Sequence, residues 1–198
     1  MISMIPIPKS RPRATRRLVM ATAEEAWEKS HGSNPLPETF VLACRGYYSK
    51  TIGEPGNDIS CYDDSFHIVT PTEMTGWNGN TDPSRYGLRP EGGRYMARLQ
   101  TGCWQFKSLI HRGKYQAFGQ GDSPVTVDRV QWDGAVARTE TGEFGINLHR
   151  GGVNGTSSEG CCTLPPEQWV AFRMELNRVL GSSGLKRFAF ILVDGPIS

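Results

Sequence analysis

Apolar residues along this chain fall in short runs separated by glycine, proline and acidic turns. Phe40, Leu42, Cys44 and Tyr47-Tyr48 mark a strand over residues 39–48. A second covers 59–69, interrupted by Asp63-Asp64, which read as a bend whose carboxylates bond to backbone. Residues 94–99, 103–111 and 115–120 give three more short strands, with Gly102 and Arg112-Gly113 as turns. Residues 125–130 and 135–138 suggest a hairpin about Trp132-Asp133-Gly134, because Asp-Gly is a strong turn dipeptide. Residues 145–149 and 187–193 complete the strands. Two stretches follow a helical period instead. Thr22 can cap a short helix with Glu24 and Glu25 in its first turn and Ala23, Ala26 and Trp27 near one face, ended by Gly32-Ser33-Asn34-Pro35. Pro165-Pro166-Glu167 opens a clearer one, with Trp169, Phe172, Leu176 and Val179 at core spacing and Gly181-Ser182-Ser183-Gly184 as its stop. The pattern predicts a mostly β, β-rich α+β fold.

Composition supports this. The 23 glycines and 13 prolines favour turns over a helical bundle. A chain of 198 residues without repeats suits one domain, taken as 37–198, behind a basic arm over 1–36. Within that arm residues 1–20 are expected to be poorly ordered. Pro6, Pro8 and Pro12 block regular structure, and Arg11, Arg13, Arg16 and Arg17 keep it solvated. Residues 71–93 are polar and glycine-rich with Trp77 and Tyr86, as in a lid or groove wall. A net charge of +2 is too mild to argue for nucleic acid. The longest apolar run, 188–193, is far too short to span a bilayer, so no membrane span is expected. Leu18-Val19-Met20 is soon met by Glu24 and Glu25, which is not a secretory signal. Oligomeric state is not written in the pattern.

Five cysteines without a Cys-x-x-Cys pair do not suggest a structural zinc site, and neither metal nor cofactor is expected. Cys44, Cys61 and Cys103 lie in strand-like runs and read as unpaired structural thiols, with a disulfide among them left open. His67 reads as structural, and Asp63-Asp64 lack the convergent ligands of a metal site. The chemical signal is elsewhere. His149 ends a strand-like run, a loop rich in Gly, Ser and Thr follows, and Cys161 stands twelve residues on, behind Ser158-Glu159-Gly160. A thiol with a pKa near ~8.5 needs a partner to react at neutral pH. His149 can take its proton and return it to a leaving amine. Gly160 permits a tight turn, and backbone N–H groups around Gly160, Cys161 and Cys162 can face an oxyanion. Ser158 can orient the turn or bond substrate. Cys162 reads as a small apolar residue behind the nucleophile. His111 and Tyr115, at a polar hairpin tip, are a second candidate cluster.

The run Ile146-Asn147-Leu148-His149-Arg150-Gly151 with Thr156-Ser157-Ser158-Glu159-Gly160-Cys161 resembles the YkuD-like L,D-transpeptidase catalytic domain, in a divergent branch found in bacteriophages and bacteria. The specific resemblance covers roughly residues 110–172. Glu159 stands where better-known members have histidine, Cys162 replaces an aliphatic residue, Thr163 an Arg or Asn, and the His-to-Cys spacing is short. The resemblance implies a β-sandwich with the cysteine at the floor of a groove. It also implies an acyl-enzyme on Cys161 formed from peptidoglycan stem peptides, resolved by an amine as a transferase or by water as a hydrolase. Catalytic roles then fall to Cys161, His149 and Gly160, and substrate-side roles to Asn147, Arg150, Gly151, Ser158, His111 and Tyr115. A protein made in the cytoplasm would reach the periplasm or cell wall after phage lysis or by an export machine. The competing expectations are an inactive cell-wall-binding domain, a cysteine hydrolase on another amide, and a structural phage or secretion protein.

Overall fold

The computed structural model describes residues 7–48, 59–84, 95–131 and 134–197. Strand (39%) outweighs helix (20%), as a β-rich α+β fold requires. The chain opens with helix α1 (Arg16–His31) and strands β1 (Phe40–Arg45), β2 (Asp64–Val69) and β3 (Met74–Gly79). Then come β4 (Met96–Leu99), β5 (Gly102–His111), β6 (Tyr115–Gly119), β7 (Val125–Val130) and β8 (Val136–Gly142). It ends with β9 (Asn147–Arg150), β10 (Cys162–Leu164), α2 (Pro166–Ser182) and β11 (Arg187–Asp194).

Eight strands form one sheet in the order β10-β9-β6-β5-β11-β1-β2-β3, and β4-β7-β8 form a second. Within the large sheet β1 runs parallel to β11, and β9 parallel to β10. Its two ends meet. Asn80, just past β3, and Thr163 of β10 exchange backbone hydrogen bonds of 2.8 Å in both directions, so the sheet curls until its edges touch.

Both faces of the central strands are buried, which explains their continuous apolar runs. Phe188, Phe190 and Leu192 of β11 join Trp169, Phe172 and Leu176 of α2 and Val125 and Val127 of β7 in the main core. Ala189 and Ile191 of the same strand point the other way, against Val19, Ala23 and Trp27 of α1. The stacked rings of Phe106 and Phe190, 4.4 Å apart, tie β5 to β11 inside the main core.

The structure corrects several expectations. Helix α1 begins at Arg16, not near Thr22. Thr15 caps it by accepting from the Leu18 N–H, and the Arg16 guanidinium bonds the carbonyls of Thr70, Pro71 and Glu73. Residues 7–15 are not a loose arm but a strap along β3; of the expected arm, residues 1–6 lie outside the described residues. The Ser10 carbonyl accepts from Tyr48 Oη and Asn78 Nδ2, and the Arg11 guanidinium lies 3.9 Å over the Trp77 ring. The stretch expected as a polar loop from residue 71 contains β3, and the expected turn at Cys161-Cys162 runs into β10. Asp64 opens β2 instead of forming a bend, but its carboxylate does bond to backbone as expected, accepting from the Gly46 and Thr81 N–H groups and also from the Thr81 hydroxyl. Residues 85–93 of the expected loop, residues 49–58, and Trp132 and Asp133 lie outside the described residues. None of the five cysteines forms a disulfide. Among the described residues no helix is long and apolar enough to cross a membrane.

Candidate active site

The curled sheet presents β5, β6, β9 and β10 side by side at one end. β9 and β10 are parallel, with Cys162 opposite Leu148 and Thr163 opposite His149. That register sets Cys161 beside Asn147, two residues from His149. A strand rise of ~3.3 Å and a strand spacing of ~4.8 Å put the Cα atoms of Cys161 and His149 ~8 Å apart, within reach of their side chains. Side chains alternate along a strand, so Leu148 and Cys162 enter the main core while Asn147, His149 and Cys161 take the opposite face.

His149 is only 5% exposed. Its Nδ1–H donates to the Arg150 carbonyl at 2.7 Å, and Tyr115 Oη lies 3.4 Å from the same nitrogen. With Nδ1 so committed, Nε2 is the nitrogen left to act as a base. Burial pushes the imidazole down to about 4; the Arg150 carbonyl opposes this, while His111 and Arg112 add to it. The Cys161 thiol is half-buried and donates to the Gly145 carbonyl at 3.6 Å, not to His149. Burial pushes it up to about 11; the Asn147 backbone N–H and Arg112 pull it down, and Glu159 pushes it further up. Thiol and imidazole are therefore both neutral at rest, not a preformed ion pair.

The turn carrying Cys161 is held from several sides. Ser158, 1% exposed, donates its hydroxyl to the Cys161 carbonyl at 2.6 Å and accepts from the Gly160 N–H at 3.0 Å. This commits Ser158 to the turn, and it removes the Gly160 N–H from the donors expected for an oxyanion. Gly160 has φ 141°, and a Cβ there would run into the Ala97 carbonyl oxygen. Ser84 clasps the Ser158 carbonyl with both its N–H and its hydroxyl, each at 2.9 Å. Behind Ser84, the buried carboxylate of Asp82 lies 2.8 Å from Arg98 and 3.3 Å from Arg45. Breaking such a buried pair from one side costs ~3–5 kcal/mol, so this network is a rigid support for the turn.

The other expected residues separate into groups. His111, 8% exposed, and Tyr115 are cross-strand partners and join the cluster, with the His111 and His149 rings 4.3 Å apart. Asn147 Nδ2 lies 3.0 Å from His111 Nδ1. Arg150 contributes its carbonyl while its side chain is exposed. Gly151 is packing: a Cβ there would strike the Tyr62 hydroxyl, which donates to the Gly152 carbonyl.

Three residues here carry no site role of their own in the sequence reading. Gln120 Oε1 accepts from the Phe144 and Ile146 N–H groups, fixing the segment whose Gly145 carbonyl holds the thiol. Arg112, at φ 50° on the hairpin tip, lies 3.6 Å from Glu159, and both side chains are largely exposed. Ser84 is the third, and only its place in a polar loop pointed to it. A separate cleft of about 370 Å³ between α1 and the start of β5 is lined by Glu25, Lys29, Ser30, Thr101 and Asp194, with none of the cluster above. Among the described residues no group of three or more His, Cys, Asp or Glu could hold a metal ion. Comparison with protein-family models, curated proteins and solved structures found no match.

Proposed function

We propose that this chain is a cysteine acyl-transfer enzyme acting on peptidoglycan stem peptides, a divergent L,D-transpeptidase-like domain of YkuD-like fold. The observation that supports it best is the parallel β9–β10 register, with Cys161 beside a histidine whose Nδ1–H is tied to the Arg150 carbonyl. In the proposed reaction Cys161 turns away from the Gly145 carbonyl. Its thiol proton passes to His149 Nε2 as Sγ attacks the substrate carbonyl carbon. The C–N bond then breaks, and His149 returns the proton to the leaving amine. A thioester remains on Cys161, and an amine acceptor gives exchange while water gives L,D-carboxypeptidase or endopeptidase cleavage. Because the resting pair is neutral, proton transfer accompanies attack instead of preceding it. The same reading places the protein's work in the periplasm or cell wall, reached by phage lysis or export.

Intact-mass measurement after incubation with purified muropeptides is the test. An adduct on the wild type that is missing from Cys161→Ala supports the reading, and full activity in that variant overturns it. A second reading is a wall-binding domain without turnover. The observation favouring it is the thiol itself, raised to about 11 and held on the Gly145 carbonyl. It predicts binding to sacculi with no adduct. A cysteine hydrolase on another amide predicts an adduct with that amide only.

A further inference from the structure

His111 and His149 lie on strands separated by β6, yet their rings are stacked, 4.3 Å between centroids and 24° between planes. Strand β6 makes this possible with small residues. Gly119 pairs with Asn147, and Ala117, two residues earlier, pairs with Leu109 of β5. A Cβ on Gly119 would run into Asn147 Oδ1, so the missing side chain is the space through which Asn147 reaches across to β5. Asn147 Nδ2 then donates to His111 Nδ1 at 3.0 Å. With Nδ1 accepting, the His111 proton sits on Nε2. His149 is the reverse, with its proton on Nδ1 and donated to the Arg150 carbonyl at 2.7 Å. Each ring is fixed in its tautomer by a separate partner, and the face of one limits rotation of the other.

We infer that His111, held by Asn147 across Gly119, is a positioning residue that locks the His149 imidazole in the rotamer and tautomer leaving Nε2 free for Cys161. This rests on the proposed role of His149 as base. The titratable and charged groups around the ring are His111 of β5, Arg112 of the following turn, Tyr115 of β6, Arg150 of β9 itself, and Cys161 with Glu159 before β10. Two stacked cations at this distance are strongly disfavoured, so the two imidazoles are not protonated together.

Imidazole NMR tests this directly, because the chain has only four histidines. Nitrogen-15 long-range spectra of the full chain should show His149 as the Nδ1–H tautomer and His111 as the Nε2–H tautomer, assigned with His149→Gln and His111→Gln. In His111→Gln and Asn147→Ala, the His149 signal should become a mixture of tautomers and its protonation midpoint should rise. His111→Phe keeps the stacked face but loses the Asn147 hydrogen bond and the second imidazole, so it should restore the single tautomer in part and leave the midpoint raised. On muropeptides, His111→Gln should lower kcat about tenfold with KM nearly unchanged, and His111→Phe, which keeps the stacked face, should lose less than His111→Gln. If the His149 tautomer and midpoint are the same in His111→Gln and Asn147→Ala as in the wild type, the positioning role is overturned. Wild type without turnover but with the expected tautomer changes leaves the clamp standing and removes the base from the reading. Wild type with turnover and an indifferent His149 does the opposite.

Discussion

The large sheet buries a histidine toward each end, His67 on β2 and His149 on β9, and burial pushes both imidazoles down to about 4. Their surroundings diverge from there. His67 is fully buried among Leu42 of β1, Gly76 of β3 and the Tyr47 ring, and the strap passes over it with the Pro12 carbonyl against Gly76. His149 lies between a carbonyl that fixes its tautomer, a stacked imidazole, a tyrosine hydroxyl and a neighbouring strand that brings in a thiol. Burial makes an imidazole neutral at either end. What distinguishes a candidate base is a proton fixed on one nitrogen and a thiol at the start of the neighbouring strand.

The strongest way to break this contrast is to remove each imidazole in turn. His149→Gln should cut turnover on muropeptides by about 10²–10⁴-fold with a modest change in urea midpoint, whereas His67→Gln should change the midpoint and leave turnover within about twofold. Equal losses from both would erase the distinction. Next in size is the pH dependence of stability. A histidine near ~6.5 in the unfolded chain and about 4 in the folded one contributes its full stability above ~6.5. That contribution is lost as pH falls through this window toward 4. Each histidine should account for roughly 3 kcal/mol or less of that loss, and each Gln variant should remove its own share of the acid-side fall in urea titrations.

Smaller effects sharpen the comparison at the backbone. Gly160→Ala drives a Cβ into the Ala97 carbonyl from a positive φ and should cost about 2 kcal/mol or more, with altered alkylation of Cys161. Gly76→Ala meets the Pro12 carbonyl at 2.8 Å, which the strap can relieve by shifting, so about 1 kcal/mol and unchanged alkylation are expected. Ser84→Ala removes one of the two donors to the Ser158 carbonyl; about 1 kcal/mol is expected, with faster iodoacetamide labelling of Cys161 as its turn loosens. Unchanged labelling there would separate Ser84 from the thiol.

Strong local signals were legible where the physics is local. Pro166 and Glu167 in the first turn of α2, its core stripe, and the apolar run of β11 need only neighbouring residues to be recognised. β3 was not, because Met-Thr-Gly-Trp-Asn-Gly has weak strand propensity. It exists as a strand by pairing with β2 and by the strap that lies along it. The early start of α1 was hidden by Arg16 and Arg17, whose cost at the positive end of a helix is offset for Arg16 by carbonyls from another part of the chain.

By itself the sequence determined a β-rich fold and the helix after the cysteine, and it pointed to His149 and Cys161 as the place to look, since periodicity, caps and motif spacing are properties of adjacent residues. Tertiary structure decided the rest. It paired β9 with β10 in parallel, spent the Gly160 N–H on Ser158, turned the thiol onto the Gly145 carbonyl, and stacked His111 on His149 across a glycine. Each of these depends on register between distant segments and on desolvation within the folded sheet, and neither is a property of any short stretch of chain.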